Sequence, residues 1–310
     1  MLHSVEDLSA DEFHHIIKEH ELFQRTEGRQ GKKAELHGSH FNQNINFAGE
    51  ISYQMDYSGI DFSGIDCAHH VFHNCNLVNS KFSGANISAT QFFGSNLKNA
   101  DFRECFGVRV NMSYTRQDGT KHDEANYQEG KFDYAIGRNT SFYESNLIGA
   151  SIGHASFIKA DARYADFSFA SLEGSDFSDS DFSFSKLVRA DGTRSSFNNV
   201  NARQSNMSHM LLKEAKLLGL NVEEVYMASV MLVQAQHNLA VAQFGPLGRE
   251  SGYATLNLKT DEVSLPDRKN VIHMKEFEKI TKKDPNLKPA LAAFLEAQNV
   301  FRLQNSKDAR

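Results

Sequence analysis

The chain has 310 residues, a formal net charge of -6, 24 Phe, no Trp and only 4 Pro. A hydrophobic content of 40% is enough for a packed core and argues against bulk disorder, and the mild negative charge argues against unaided binding to a phosphate backbone, which needs clustered Lys and Arg. Three Cys do not make a disulfide framework, MLHSVEDLSADEF lacks the basic and apolar regions of a secretory signal, and no apolar run approaches a membrane span, so a cytoplasmic protein is expected.

In chain order, the first predicted element is a helix over 9–27, SADEFHHIIKEHELFQRTE. Ser9 and Glu12 have capping-box spacing, Phe13, Ile16, Ile17 and His20 share a face, and Gly28 ends it. His14, His15 and His20 are read as surface and lid residues. KKAELHGSHF follows with Leu36 and Phe41, one residue out of the frame that begins at Phe47, so a bulge is expected between Phe41 and Phe47.

From Phe47 to Leu217 the chain repeats every five residues. In SKFSG-ANISA-TQFFG-SNLKN-ADFRE the central column is Phe82, Ile87, Phe92, Leu97 and Phe102. Two residues before each stands a small one: Ser80, Ala85, Thr90, Ser95 and Ala100. A polar residue lies between. The same frame runs through Phe142, Leu147, Ile152, Phe157, Phe167, Leu172, Phe177, Phe182 and Leu187. Neither an amphipathic helix nor an alternating strand has this period.

SNLKN, ADFRE, SNLIG, ADFSF and SDFSD resemble the unit of the pentapeptide-repeat family, A-(D/N)-L-x-x with Phe often in place of Leu. The resemblance implies a right-handed quadrilateral β-helix, four pentads to a coil, with the central and small residues inward and the others outward. Such a coil buries its apolar atoms only against its neighbours, so the rod is a one-dimensional cooperative array. Coils about 4.8 Å apart give a rod of about 40 Å. Residues twenty apart then stack: Phe62, Phe82 and Phe102 in one ladder, Phe72 and Phe92 in another, Leu77 and Leu97 in a third.

Cys67, Gly107, Gln117, His122, Gly137 and Gly192 break the column. The polar run TRQDGTKHDE, with the turn signal Asp118-Gly119, reads as a loop inserted at about 115–124 that offers Arg116, Asp118 and Lys121 for recognition. Cys67, His70 and Cys75 fall on inward positions but His69 and His73 on outward ones, so they do not converge on one metal ion. The many Asp recur because the outward position accepts them. No phosphate loop, nucleophile elbow or carboxylate pair is present. No catalytic, cofactor or metal site is expected, and the chain is read as non-enzymatic.

After Leu217 the pentads are expected to stop. Residues 222–236 read as a short helix or a last irregular coil. NLAVAQF and GYATLNL read as two strands joined by GPLGRES, and helices are expected at about 273–283 and 286–304. FGPLGRESGYATLNLKTDE with MKEFEKITKK is similar to a tail module on pentapeptide-repeat proteins of phages and bacteria. Those often carry a Gly-Cys pair where this chain has KNVIHMKEF. A phage origin would place the protein in the virion or host cytoplasm.

The expected organisation is an N-terminal helical cap (1–30), a pentapeptide-repeat β-helix (31–220) and a C-terminal α+β module (221–310). The expected function is a scaffold for a protein partner, without direct nucleic-acid or membrane binding, and with any homo-oligomer formed through the C-terminal module. The alternatives are a mimic of duplex DNA that binds a type II topoisomerase, or a phage structural or host-interaction protein. Mimicry draws on the outward acids Asp161, Asp166, Glu173, Asp176, Asp179, Asp181 and Asp191. Lys159, Arg163, Lys186, Arg189 and Arg194 interrupt them, whereas duplex DNA carries a charge about every 1.7 Å.

Overall fold

The computed structural model describes residues 10–32, 49, 51–227, 229–232, 235–237, 241–247, 252–257, 261–265, 272–284, 287–288, 290–295 and 297–298. Its main body is a β-helical rod. At every fifth residue the backbone makes a parallel bridge to the residue twenty positions on, from Asp56↔Asn76 to Leu211↔Met231. Phe82 N–H donates to Asp101 C=O (2.7 Å) and Lys81 N–H to Ile60 C=O (2.8 Å), so each coil is hydrogen-bonded on both sides. Short parallel strands mark the two ends: β1 (Ile51–Tyr53) on β2 (Val71–His73), and β3 (Lys216–Leu217) on β4 (Gln236–His237).

The pentad chemistry explains the coil. The central and small columns are buried. After each central residue the chain turns, as where Ala85 N–H donates to Phe82 C=O (2.9 Å). The third residue of that turn has positive φ: +66° at Gly84, 55° at Asn99, 59° at Glu104. A non-Gly residue there costs roughly 1–2 kcal/mol, offset by the ladder bonds its neighbours make. The small column takes Ser and Thr as well as Ala because most of these hydroxyls find a carbonyl, Ser185 and Ser205 being exceptions. Ser80 Oγ donates to Leu77 C=O, and Thr90 Oγ1 to Cys67 C=O one coil away, both at 2.7 Å.

The interior is a set of ring ladders. Phe82 stacks on Phe62 at 4.6 Å and on Phe102 at 4.8 Å, and Phe72 on Phe92 at 5.0 Å. Rings of adjacent ladders meet edge to face, as Phe82 and Phe92 do at 5.5 Å. One apolar core runs from Met55 to Val230.

The expected inserted loop at 115–124 does not exist. Arg116 bridges Asn96 and Ile136, and Lys121 bridges Asp101 and Ser141, so the coil is unbroken. Asp118-Gly119 is only the turn that every pentad makes, with Gly119 at φ +66°. Gln117 and His122 point inward and satisfy each other. Thr115 Oγ1 donates to Met112 C=O and accepts from Gln117 Nε2 at 2.7 Å, which turns Gln117 Oε1 toward His122 Nε2 at 2.9 Å. His122 Nε2 therefore carries the proton, and Nδ1 accepts from Tyr127 OH at 2.7 Å. The imidazole also sits in the ladder between Phe102 (5.4 Å) and Phe142 (5.0 Å). A second buried set joins Ser52, Tyr57 and His70.

The pentads also continue past Leu217. Asn221 and Tyr226 bridge to Asn201 and Asn206, with Val222, Met227 and Leu232 holding the column. The tail sheet follows as β5 (Val241–Leu247), β6 (Gly252–Asn257), β7 (Glu262–Ser264) and β8 (Ile272–His273), antiparallel in that order. The last two strands were not expected. Gly245-Pro246, expected in the turn, lies in β5 where the register shifts between Phe244 and Leu247; β5 is an edge, where Pro removes no ladder donor. Helix α2 of the tail (Met274–Lys283) follows the earlier helix α1 (Ala10–Arg25). Phe277 of α2 packs with Leu256, Val263 and Phe294.

Both ends of the rod meet these elements. Thr255 Oγ1 donates to Met227 C=O (3.0 Å), Asn257 Nδ2 to Val222 C=O (3.2 Å) and Tyr226 OH to Leu265 C=O. At the other end Ile16 packs against the core, and His20 is buried with Nε2 3.2 Å from Tyr53 C=O. Gly28 follows α1 at φ +83°. Ser9 and the frame change between Phe41 and Phe47 lie outside the described residues. No described helix is long and apolar enough to cross a membrane.

Candidate interaction surfaces

Because four pentads complete a coil, every outward position belongs to one of four faces, and neighbours on a face are twenty residues apart. This spacing disperses the expected acidic surface. Asp161 and Asp181 are bridge partners on one face. Asp166 lies on the next face, Glu173 and Asp191 on the third, and Asp176 and Asp179 on the fourth. Arg116 and Asp118 share that fourth face, lower on the rod, and Lys121 lies on the first beside Asp101.

Most of these carboxylates have local work. An Asp just before the central residue accepts the backbone N–H two positions on: Asp161 from Arg163 (3.2 Å), Asp166 from Ser168 (3.0 Å), Asp176 from Ser178, Asp181 from Ser183 and Asp191 from Thr193 (each 2.9 Å). Several also meet cations. Arg163 grips Asp161 with two nitrogens at 2.8 and 2.7 Å, Lys186 reaches Asp166 at 3.2 Å, and Arg194 pairs with Glu173. Asp179 accepts from Asn199 Nδ2 (3.1 Å), and Asp118 from Arg138 N–H (2.8 Å). On the same pattern, Arg103 holds the Asp101 carboxyl below its usual range through a bidentate hydrogen bond.

Cys67, His70 and Cys75 are inward, as read from the frame, and His69 is exposed. Burial pushes the Cys75 thiol up to about 12 and raises Cys67 and Cys105 further. Among the described residues no three His, Cys, Asp or Glu side chains group as metal ligands.

The sequence reading missed two rows of outward rings. On the face after the Phe72–Phe92 column, Tyr53, His73, Phe93, Tyr114, Tyr134 and His154 form a continuous row, each ring centroid 4.9–5.4 Å from the next. Half a coil away, Tyr143 meets Tyr164 edge-on at 5.7 Å and Tyr164 stacks on Phe184 at 4.7 Å. Arg163 lies 5.3 Å over the Tyr143 ring while it holds Asp161, so this row is bordered by charge. Reading the outward positions at period twenty would have found both rows.

The pentapeptide-repeat family model matches in 8 copies, over residues 58–90, 71–106, 140–179 and 175–213. The rod is built of pentapeptide repeats. The stretch between the matched segments holds Gly107, Gln117, His122 and Gly137, and the pentapeptide-repeat coil runs through it unchanged. No curated protein matches the chain. Solved structures similar to it include HetL, a pentapeptide repeat protein involved in heterocyst differentiation regulation from Nostoc sp. strain PCC 7120. It has 16% identity and a TM-score of 0.35, covering 63% of this chain and 89% of that one. QnrB1, a plasmid-mediated fluoroquinolone resistance protein, has 18% identity and a TM-score of 0.29 over 65% and 88%. A pentapeptide repeat protein of the Arabidopsis thaliana thylakoid lumen has 24% identity and a TM-score of 0.19 over 34% and 68%.

Proposed function

We propose that the chain is a non-enzymatic scaffold whose pentapeptide-repeat rod binds a protein partner on its faces. The observation that carries this reading is the Tyr143–Tyr164–Phe184 row beside the Asp161–Arg163 pair and Asp181. Aromatic anchors bordered by paired charge are the composition of a binding hot spot, and the rod holds them rigid at coil spacing. In this reading the N-terminal helix and the tail sheet cover the two ends, and the coils between them present the faces. Affinity capture from the source organism tests it. A Tyr164→Ser/Phe184→Ser variant that is folded is expected to lose a protein that the unaltered chain and a Phe106→Ser variant retain. Retention of every captured protein by the double variant removes this face as the site.

A second reading is mimicry of duplex DNA toward a type II topoisomerase. It is favoured by Glu104, Glu124 and Glu144, three exposed carboxylates in successive coils of the first face. One charge per coil of about 4.8 Å is sparse beside one per 1.7 Å of duplex. A gyrase supercoiling assay separates the readings: inhibition at micromolar protein supports mimicry, and unchanged supercoiling removes it.

A further inference from the structure

We propose that the row from Tyr53 to His154 is the self-association surface of this protein, so that two copies pair face to face through it. The partner-binding reading uses the opposite side of the rod and does not depend on this pairing.

The chemistry of the face carries the inference. From Ile51 to Tyr114 its outward positions hold no Asp, Glu, Lys or Arg, although 23% of the chain is charged. They hold rings, Val71 and amides such as Gln54, Asn74, Gln91 and Asn111. The opposite face over its own lower coils carries Asp61, Lys81, Asp101, Arg103 and Glu104. An isologous contact sets a surface against itself, so any charge near its axis meets a like charge. The four coils from Ile51 to Tyr114 escape that repulsion, and Lys131 and Asp133, beside Tyr134, are the first charges on this face.

The area agrees. Ile51 (47%), Tyr53 (48%), Phe93 (38%), Tyr114 (53%) and Tyr134 (47%) are exposed to solvent on this face. At about 200 Å² per large side chain these leave roughly 470 Å² of apolar surface, in the upper half of the range for the largest patch on an ordinary monomer. With the flanking amides the face approaches the roughly 800 Å² per partner of a stable complex.

The row also has a defined end: Gly174, one coil beyond His154, brings no side chain to continue it. An antiparallel pair about a two-fold axis near Phe93 keeps the charge-free coils on each other and points both Tyr164–Phe184 rows outward. Phe93 then lies at the centre, where truncation costs most.

Sedimentation equilibrium on the full chain over about 1–100 µM tests the pairing. The expected result is a mass of two chains at the upper end, unchanged at high salt because no charge pairs hold the contact. Phe93→Glu is expected to give a single chain throughout, and Phe169→Glu, an exposed ring on another face, to leave the dimer intact. Should Phe93→Glu fail to fold by circular dichroism, Tyr114→Ser is expected to weaken the dimer at least tenfold. A single-chain mass for the unaltered protein at every concentration overturns the proposal, leaving the row for a different partner. A dimer untouched by Phe93→Glu and Tyr114→Ser, or broken equally by Phe169→Glu, overturns it too.

Discussion

Phe92 is fully buried between ladders, stacked on Phe72 and edge-on to Phe82 and Phe102. Phe92→Ala removes a rung that no neighbour can replace without leaving its own coil, so a loss of about 3–5 kcal/mol is expected. Lys98→Ala, on an exposed outward position, is expected to cost under about 0.5 kcal/mol. Urea melts of the two variants check the difference, and equal losses contradict the register. His122 gives a pH signature. Burial pushes its pKa down to about 3, from a usual value of 6.5. The folded state therefore stays neutral while the unfolded chain takes up a proton as pH falls through 6.5. This group's contribution is fully present above pH 6.5, declines on acidification and stops changing below about pH 3. By pH 5 the loss is about 2 kcal/mol. His122→Phe continues the Phe102–Phe142 ladder without a titrating group, so its stability is expected to fall about 2 kcal/mol less between pH 7 and pH 5; parallel profiles contradict the assignment.

At the scale of the element, the unit is the coil and not the pentad. The period-five column was legible because Phe, Leu and small residues alternate with polar ones in a fixed frame. What one coil does to the next was less legible. Gln117, His122 and Tyr127 are spaced five apart in the inward column, yet polarity alone read as an excursion from the rod. A hydrogen-bonded set buried in a core has the composition of a loop and declares itself only when the frame is trusted over the residue type. Val222, Met227 and Leu232 were passed over for the opposite reason: the frame persists there while the small-polar-large motif fades. The expected acidic surface dissolved because neighbours in sequence lie on different faces. One consequence is testable. Deleting residues 116–135 removes one whole coil and keeps every face in register, so a cooperative melt is expected to remain. Deleting 116–125 moves each later column half a coil round, setting Phe142 above the Phe92–Met112 column, and loss of the cooperative transition is expected. Equal tolerance of both deletions in thermal melts contradicts the twenty-residue coil.

At the scale of the whole molecule, both ends of the rod leave ladder groups that another coil would satisfy. The tail sheet supplies partners at one end through Thr255, Asn257 and Tyr226, and α1 approaches the other through Ile16 and His20. Truncation after His237 is expected to expose Met227 and the last carbonyls and to cause concentration-dependent association, measured by light scattering. Unchanged solubility contradicts an end-covering role for the tail. Between the covered ends the rod is a rigid ruler, and recognition through its outward rows is the function proposed for it. Site-specific photo-crosslinking in cells tests this most directly, with a photoreactive phenylalanine placed at Tyr164, at Phe184 and, as a control, at the exposed Phe106 on a neighbouring face. A discrete cross-linked protein is expected from positions 164 and 184 and none from 106; no product from 164 and 184, or the same product from all three, rules out recognition by this row.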